Sequence, residues 1–496
     1  MPTRLDPAGR PVEIEGIILR TPGLQGYAEA HRAGSPGMRA AEATTSAFET
    51  AMASEGLISQ RSVALKETRE AREARDTVQG MRSTSHGEPG IVMEVQAPTQ
   101  DFGQLVLAVD EAGVMTWNFS VEETGGGAEA TRGGGPRRTY VVRRFVAQPE
   151  ADGVKTRGLV GAVGKKILKV VAFHLVDPIG GAVGEYYAGK WEAKKRPYRF
   201  RTFAPEDYTD VGARSLAAPD WESLGRGRAL LMVHGTTSRA HTAFGALPES
   251  VVAELHRRYE GRVFAFDHFT LSQDPRQNLK WFFENLPDGQ ALDVDIVCHS
   301  RGGLVSRLLA ERQSEFSLGS GKLRVGKIVL AAVPNGGTTL ADPRYMGDFV
   351  DAYTNLLNFL PETGVVEAFE ALVTVTKQLA VGVLRGLDGL QSMNPKGEFI
   401  RSLNQGPVCD TRYFAIAADY EPAVPGFKAF ALDRLTDKIF GEHNDIVVPT
   451  HGVYRENGRG GFPVDEKFVF EPKAGVGHTN FFGQPRVHEK ILEWLS

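Results

Sequence analysis

Cysteine is nearly absent: the chain holds two in 496 residues, Cys298 and Cys409. That excludes a disulfide framework and predicts a reducing compartment. Long hydrophobic runs are missing as well. No stretch reaches about 18 uncharged apolar residues, so no membrane-crossing helix is predicted. Met1–Arg20 carries Asp6, Glu13 and Glu15 and has no continuous apolar core. No secretory signal is therefore expected, and a cytoplasmic location is the simple expectation, although export by a route that reads no N-terminal signal fits the same residues. A strong charge of one sign is lacking too. The formal net charge is -4 with 24% charged residues, which provides no basic field and implies no nucleic-acid partner.

What is present is length: 496 residues are enough for two or three domains with a large core. Residues 1–157 read as a small α+β region. Pro11–Arg20 begins with period-2 alternation and predicts a strand. Residues 38–79, rich in Ala, Glu and Arg and nearly free of aromatics, predict a helical arm interrupted near Gly56. Within it, the Glu67–Arg75 run reads as a solvated helix face. Residues 90–147 hold strand-like runs at Gly90–Val95, Gln104–Asp110, Val114–Val121 and Thr139–Ala147, an antiparallel set broken by a mobile Gly- and Arg-rich loop at Thr124–Arg138. Nothing here has catalytic spacing; an interaction module and a packing extension fit it about equally.

Residues 158–195 predict an amphipathic helix followed by a Gly-rich joint. Leu159, Val160, Val163, Ile167, Leu168, Val171 and Leu175 fall at helical spacing, with Lys165, Lys166 and Lys169 opposite. Such a helix packs on a sheet or lies on an anionic membrane surface, so peripheral membrane contact is one partner it implies. Gly180, Gly181, Gly184 and Gly189 mark the joint.

From Arg196 onward strands and helices alternate, the pattern of an α/β domain with a mostly parallel sheet covered on both faces. Strands are expected at Arg228–Val233, Arg262–Phe266, from Ala291–Ile296 into Val297, and at Arg324–Val333, Thr411–Ala417 and Glu466–Phe470. Helices are expected at Phe244–Tyr259, Pro275–Leu286, after Gly302 and at Val487–Trp494. The chain is organised around Val297–Gly303 (VCHSRGG), which reads strand, sharp turn, helix, with Ser300 at the turn. A serine there projects its hydroxyl above the sheet edge, beside the free N–H groups of the helix start. Gly302 supplies one small neighbour the crowded turn needs. Cys298 stands where Gly is usual.

A serine hydroxyl needs a base, and a histidine base needs a carboxylate to hold its tautomer and balance its charge. His478, in a Gly-rich loop after a late strand, is the candidate base, and Asp445 the candidate carboxylate. His234, His299, His443 and His451 are rivals to His478. The backbone N–H of Arg301, next to Ser300, is a candidate oxyanion donor.

His234-Gly235, the Cys-His-Ser-Arg-Gly-Gly turn, Asn444–Pro449 and Gly477-His478, in the order Ser, Asp, His, together resemble the bacterial lipases and esterases of the α/β-hydrolase superfamily. The resemblance covers roughly residues 196–496. It implies a second oxyanion donor in the loop after His234-Gly235, with Thr236 the best match and Thr237 the reserve. It further implies that His234 and His299 are packing residues of the oxyanion loop and turn. Residues 341–404 are too long and too apolar for a plain connection, and they follow the strand after the turn, where related lipases insert a helical cap. The alternative is two helices simply packed on the sheet. The function expected is hydrolysis of an ester or lipid-like small molecule with an apolar acyl group through an acyl-enzyme, without metal or organic cofactor. A thioesterase, amidase or acyltransferase would use the same triad. A scaffold whose N-terminal part binds a protein or membrane is the non-enzymatic alternative.

Overall fold

Continuous apolar runs such as Ala229–Val233 (ALLMV) and Val263–Phe266 (VFAF) have no polar face to offer water. They are stable only as strands covered on both sides. In the computed structural model, which describes residues 2–32, 46–67, 90–110, 113–121, 136–142, 165–175, 187–316, 322–358, 365–405, 409–421, 440–454 and 462–496, they form neighbouring inner strands of a seven-stranded sheet. The chain divides into two units, one comprising Met1–Glu185 with Leu379–Gly382 and Gly426–Ala431, the other the remainder.

The second unit is α/β. Its strands are β11 (Arg199–Thr202), β12 (Arg228–Val233), β13 (Val263–Asp267), β14 (Ala291–His299), β15 (Lys322–Ala331), β16 (Arg412–Ala418) and β17 (Glu466–Phe470). They run in the order β11-β13-β12-β14-β15-β16-β17, all parallel except the edge strand β11. Successive side chains point to opposite faces. Leu230, Met232 and Ala265 accordingly join one buried cluster with Val252 and Leu255 of the helix Glu249–Arg258 and with Val487, Ile491 and Trp494 of the helix Pro485–Trp494. Phe266, on the other face, meets Phe282 of the helix Pro275–Glu284 edge-on at 5.2 Å. Each such side chain buried contributes about 1.5–3 kcal/mol before entropy is charged against it. The Pro275–Glu284 helix starts where it does because Asp274 accepts from the Gln277 N–H while the Gln277 side chain accepts from the Asp274 N–H, with Pro275 next.

Four helices bear on the site and are labelled α1 (Tyr187–Lys195), α2 (Gly302–Glu311), α3 (Met346–Leu357) and α4 (Val366–Ala380). The unit begins at Tyr186, upstream of the expected boundary at Arg196. The reason lies in α1: the buried Glu192 carboxylate accepts from the backbone N–H groups of Thr270 (2.5 Å), Leu271 (2.9 Å) and Ser272 (2.9 Å), which makes α1 part of the α/β unit. Gly189 lies within α1; Gly180, Gly181 and Gly184 lie outside the described residues. Residues 341–404 hold α3, α4 and the helix Glu398–Asn404.

The first unit is built mainly of antiparallel strands: β1 (Thr3–Arg4), β4 (Gly26–Arg32), β5 (Ile58–Glu67), β10 (Lys165–His174), β7 (Phe102–Val109) and β8 (Met115–Asn118) form a six-stranded sheet in that order, and β2 (Val12–Ile14), β3 (Ile17–Arg20), β6 (Ile91–Gln96) and β9 (Arg137–Val142) a four-stranded one. Ile17 and Met93 of the smaller sheet share a core with Val63, Val106 and Leu168 of the larger. Three expectations are corrected here. Pro11–Arg20 is not one strand but a hairpin, β2 (Val12–Ile14) and β3 (Ile17–Arg20), because Glu15 and Gly16 take φ of 46° and 83° in the two-residue turn. The described part of the helical arm contains one helix, Ser46–Ser54, and then β5 (Ile58–Glu67), which pairs on both sides with β4 (Gly26–Arg32) and β10 (Lys165–His174). Pairing on two sides overrides the helical propensity of its Ala, Leu and Glu. The amphipathic helix expected in 158–195 is the strand β10, between β5 and β7 (Phe102–Val109). Both its faces are apolar, so a run such as ILKVVAF satisfies a strand as well as a helix period. Lys169 is itself buried, so it does not lie on an exposed helical face. Residues 68–75 of the charged run and 124–135 of the Gly-rich loop lie outside the described residues. Among the described residues, no helix is long and apolar enough to cross a membrane.

Candidate active site

β14 is buried along most of its length and ends at His299; α2 begins at Gly302. Between them Ser300 takes φ 51°, the left-handed region that a residue with a Cβ enters only at a cost. Its N–H donates to the Ala331 carbonyl at 2.9 Å, which anchors the turn to β15. The turn is crowded. A Cβ on Gly302 would overlap the carbonyl oxygens of Val233 and His234, and one on Gly235 would lie 2.7 Å from the Ser300 Cβ. Cys298 meets no such obstacle: its thiol lies within the sheet, 3.4 Å from the Val329 carbonyl, and burial pushes it far above the usual thiol range. The usual Gly is dispensable there.

Ser300, His478 and Asp445 converge although 178 residues separate the serine from the histidine. His478 Nε2 lies 2.8 Å from Ser300 Oγ, and His478 Nδ1 lies 2.9 Å from Asp445 Oδ2. A carboxylate only accepts, so Nδ1 carries the proton and Nε2 is left to accept from the serine hydroxyl. The other Asp445 oxygen accepts from the N–H groups of Val447 (3.0 Å) and Val448 (2.7 Å), which fixes the carboxylate plane. The imidazole is held by its own backbone: the His478 N–H donates to the Asp445 carbonyl at 2.9 Å, and the His478 carbonyl accepts from His299 Nε2 at 2.8 Å. All three side chains are buried.

The rival histidines sit elsewhere. Burial, reinforced by His478 beside it, lowers His299 to about 3, so it is neutral and serves as a donor to the His478 carbonyl. Burial likewise lowers His234 to about 4. Its Nε2 accepts from the His268 N–H at 3.1 Å, which leaves Nδ1–H to donate to the Gly235 carbonyl at 3.0 Å. His443 is exposed and pairs with Asp419 at 2.7 Å. His451 is exposed and lines a separate cavity of about 610 Å³ together with Gly337, Tyr454 and Lys467. Among these buried imidazoles only His478 hydrogen-bonds directly to a carboxylate, and only it reaches a hydroxyl nucleophile.

The two expected oxyanion donors differ from the reserve. Neither the Arg301 nor the Thr236 N–H has a hydrogen-bond partner among the described residues, whereas the Thr237 N–H donates to Thr270 Oγ1 at 3.3 Å. The Gly235 carbonyl accepts from His234 Nδ1 and from Ser238 Oγ, each at 3.0 Å. That carbonyl and the Thr236 N–H belong to one planar trans peptide and point in opposite directions, so pinning one aims the other. Sequence reasoning missed this role of His234 and Ser238. It also missed the Arg301 side chain. The guanidinium is fully buried and donates to the carbonyls of Gly389 (2.9 Å) and Phe269 (3.4 Å), the Gln273 carbonyl and Asn278 Oδ1 (3.0 Å). It thereby stitches the start of α2 to the segments at 269–273 and 389. The signal for either was weak, because each depends on contacts far apart in sequence.

Solved structures similar to this chain include the mature lipase BlEst2 of Bacillus licheniformis, 15% identical, covering 54% of this chain and 91% of that one, with a TM-score of 0.32. Lipase 1 of Pelosinus fermentans is 15% identical over 53% of this chain and 98% of that one, TM-score 0.36. The phospholipase PlaB of Legionella pneumophila is 14% identical over 54% of this chain and 60% of that one, TM-score 0.34. No curated protein matches the sequence. Residues 195–496, the greater part of the chain, match the profile of a family described as Domain of unknown function (DUF7379), and the chain belongs to that family.

Proposed function

We propose that the α/β unit is a serine hydrolase of the α/β-hydrolase type, acting on carboxylic esters with an apolar acyl group. The observation that carries this reading is the hydrogen-bonded relay Ser300 Oγ, His478 Nε2, His478 Nδ1, Asp445 Oδ2, at 2.8 and 2.9 Å, mounted on a strained strand-to-helix turn. In the reaction, Ser300 Oγ attacks the ester carbonyl carbon as its proton passes to His478 Nε2. The imidazolium is stabilised by Asp445, which keeps its charge and takes no proton. The carbonyl π pair moves to oxygen, and the N–H groups of Arg301 and Thr236 receive the oxyanion; one such donor contributes about 3–4 kcal/mol. Collapse expels the alcohol with the proton from His478. Water, deprotonated by the same imidazole, then releases the acid and restores Ser300.

The apolar preference rests on what lies above the serine. Residues 341–404 supply Tyr353, whose ring meets the His478 imidazole edge-on at 6.1 Å, and Met393, whose sulfur lies 3.8 Å from the Thr236 hydroxyl. These are parts of a cap that excludes water and offers an apolar wall to the acyl chain. The test is hydrolysis of a p-nitrophenyl ester chain-length series by wild type and Ser300→Ala. Activity in the wild type and its loss in the variant is the expected result; equal rates in both proteins contradict the proposal. Thioesters and amides in the same panel separate esterase from other acyl-transfer chemistry.

A further inference from the structure

Tyr353 is a buried phenol on the apolar helix α3, where a phenylalanine would pack equally well. Its ring rests against Phe349 (4.5 Å between centroids) on one side and the His478 imidazole (6.1 Å, 79° between planes) on the other. Its hydroxyl lies close to the side chains of Ser300 and Thr236, yet neither meets it in full hydrogen-bond geometry, nor does any other group among the described residues. A buried hydroxyl is ordinarily satisfied, and one left without a partner beside a nucleophile calls for an explanation. Ser300 Oγ and the Thr236 loop bracket the place where a bound carbonyl oxygen becomes negative as the serine attacks. The Tyr353 hydroxyl, beside both, adjoins that place.

We propose that the Tyr353 O–H is a third donor to the oxyanion, carried by the cap helix and satisfied only once a tetrahedral centre forms on Ser300. The inference rests on the hydrolase reading above and assigns a catalytic residue outside the triad and the backbone donors. The phenol gives a hydrogen bond and transfers no proton. Burial, with the Asp445 carboxylate adding to it, raises its pKa well above the usual phenol range, so it stays protonated wherever the base is active. An interaction absent from the ground state and made in the transition state raises kcat without tightening substrate binding.

Tyr353→Phe keeps the ring and its contacts and removes only the oxygen. With p-nitrophenyl butyrate the expected result is a fall in kcat on the order of 10²-fold with KM changed by less than about threefold. The inhibition constant of a trifluoromethyl ketone, whose serine adduct carries the same oxyanion, should rise by a similar factor. Thermal unfolding should match the wild type, which separates lost chemistry from lost structure. A Tyr353→Phe enzyme with unchanged kcat and unchanged ketone affinity overturns the inference, and a faster one overturns it in favour of a hydroxyl that blocks the serine. A wild type that neither hydrolyses esters nor takes a fluorophosphonate on Ser300 overturns the hydrolase reading itself, which the first two outcomes leave standing.

Discussion

At the scale of single residues, each member of the candidate triad is held by a neighbour outside it. His299 grips the His478 carbonyl, and Val447 and Val448 grip Asp445. His234 and Ser238 hold the Gly235 carbonyl. The last pair makes a sharp prediction. Removing the His234 ring frees the Gly235–Thr236 peptide to rotate and, on the proposed mechanism, costs orientation at the oxyanion. His234→Ala should therefore lower kcat for a p-nitrophenyl ester by roughly 10–100-fold, the range seen when a residue that orients an active group is lost, while KM stays near the wild-type value. Steady-state kinetics on the variant, with a melting curve as control, checks it; a pure KM effect would assign His234 to substrate binding instead. The convergence of Ser300, Asp445 and His478 was legible at this scale because each lies in a loop between a strand and a later element, and chain order links them. Tyr353 was not. Nothing in an apolar helix marks one aromatic as the residue that lies beside the serine, and the periodicity of α3 accounts for it as packing.

At the scale of elements, α4 is joined by charge to the loop that follows β12. Glu367 lies between Arg196 (Nε to Oε1, 3.1 Å) and Arg239 (Nη2 to Oε2, 3.4 Å), while the Arg196 guanidinium also donates to the Ser238 carbonyl at 3.5 Å. Both arginines are buried and Glu367 is partly exposed. Replacing the carboxylate leaves two buried cations facing each other without their counter-charge. Breaking a fully buried pair costs about 3–5 kcal/mol, and partial exposure of Glu367 reduces that. Glu367→Gln is expected to destabilise the unit by about 2 kcal/mol and to speed amide exchange in α4 ahead of the sheet. Urea unfolding with hydrogen-exchange mass spectrometry reads both; exchange in α4 as slow as in β14 would mean that packing alone holds the helix. Element type was legible wherever an apolar run was bounded by turn residues, as in β12 and β17. It failed in β10 and β5, where a short apolar run fits either period and the deciding contacts come from strands distant in sequence. The Glu15-Gly16 hairpin failed for a local reason: a glutamate seldom takes the left-handed position that turn requires.

At the scale of the whole molecule, the α/β unit buries several neutral histidines around its site. Burial holds His234 at about 4, His241 at about 4 and His299 at about 3, and puts His268 well below its ordinary value. In the unfolded chain each returns to 6.5. Between those values the unfolded state binds more protons than the folded one, so acid favours unfolding. The stability these groups contribute is complete above the unfolded value and is lost as pH falls toward the folded ones. Each contributes a slope of up to about 1.4 kcal/mol per pH unit across that window. Urea midpoints should drop from pH 7.5 to pH 5; a flat profile would mean that these histidines charge in the folded protein. The two-unit division was visible as a change from strand-rich, turn-broken sequence to alternating strand and helix, but its position was not, because the tie through Glu192 is a contact that no local pattern announces. The strain at Ser300 has a further consequence. Its left-handed backbone would suit a glycine better, and Thr237 and Ile446 in the flanking loops, at φ 59° and 88°, share that defect. Evolution for durability alone would erode these positions toward glycine, so on the proposed hydrolase reading a relaxed turn would make the hardier protein and the poorer catalyst.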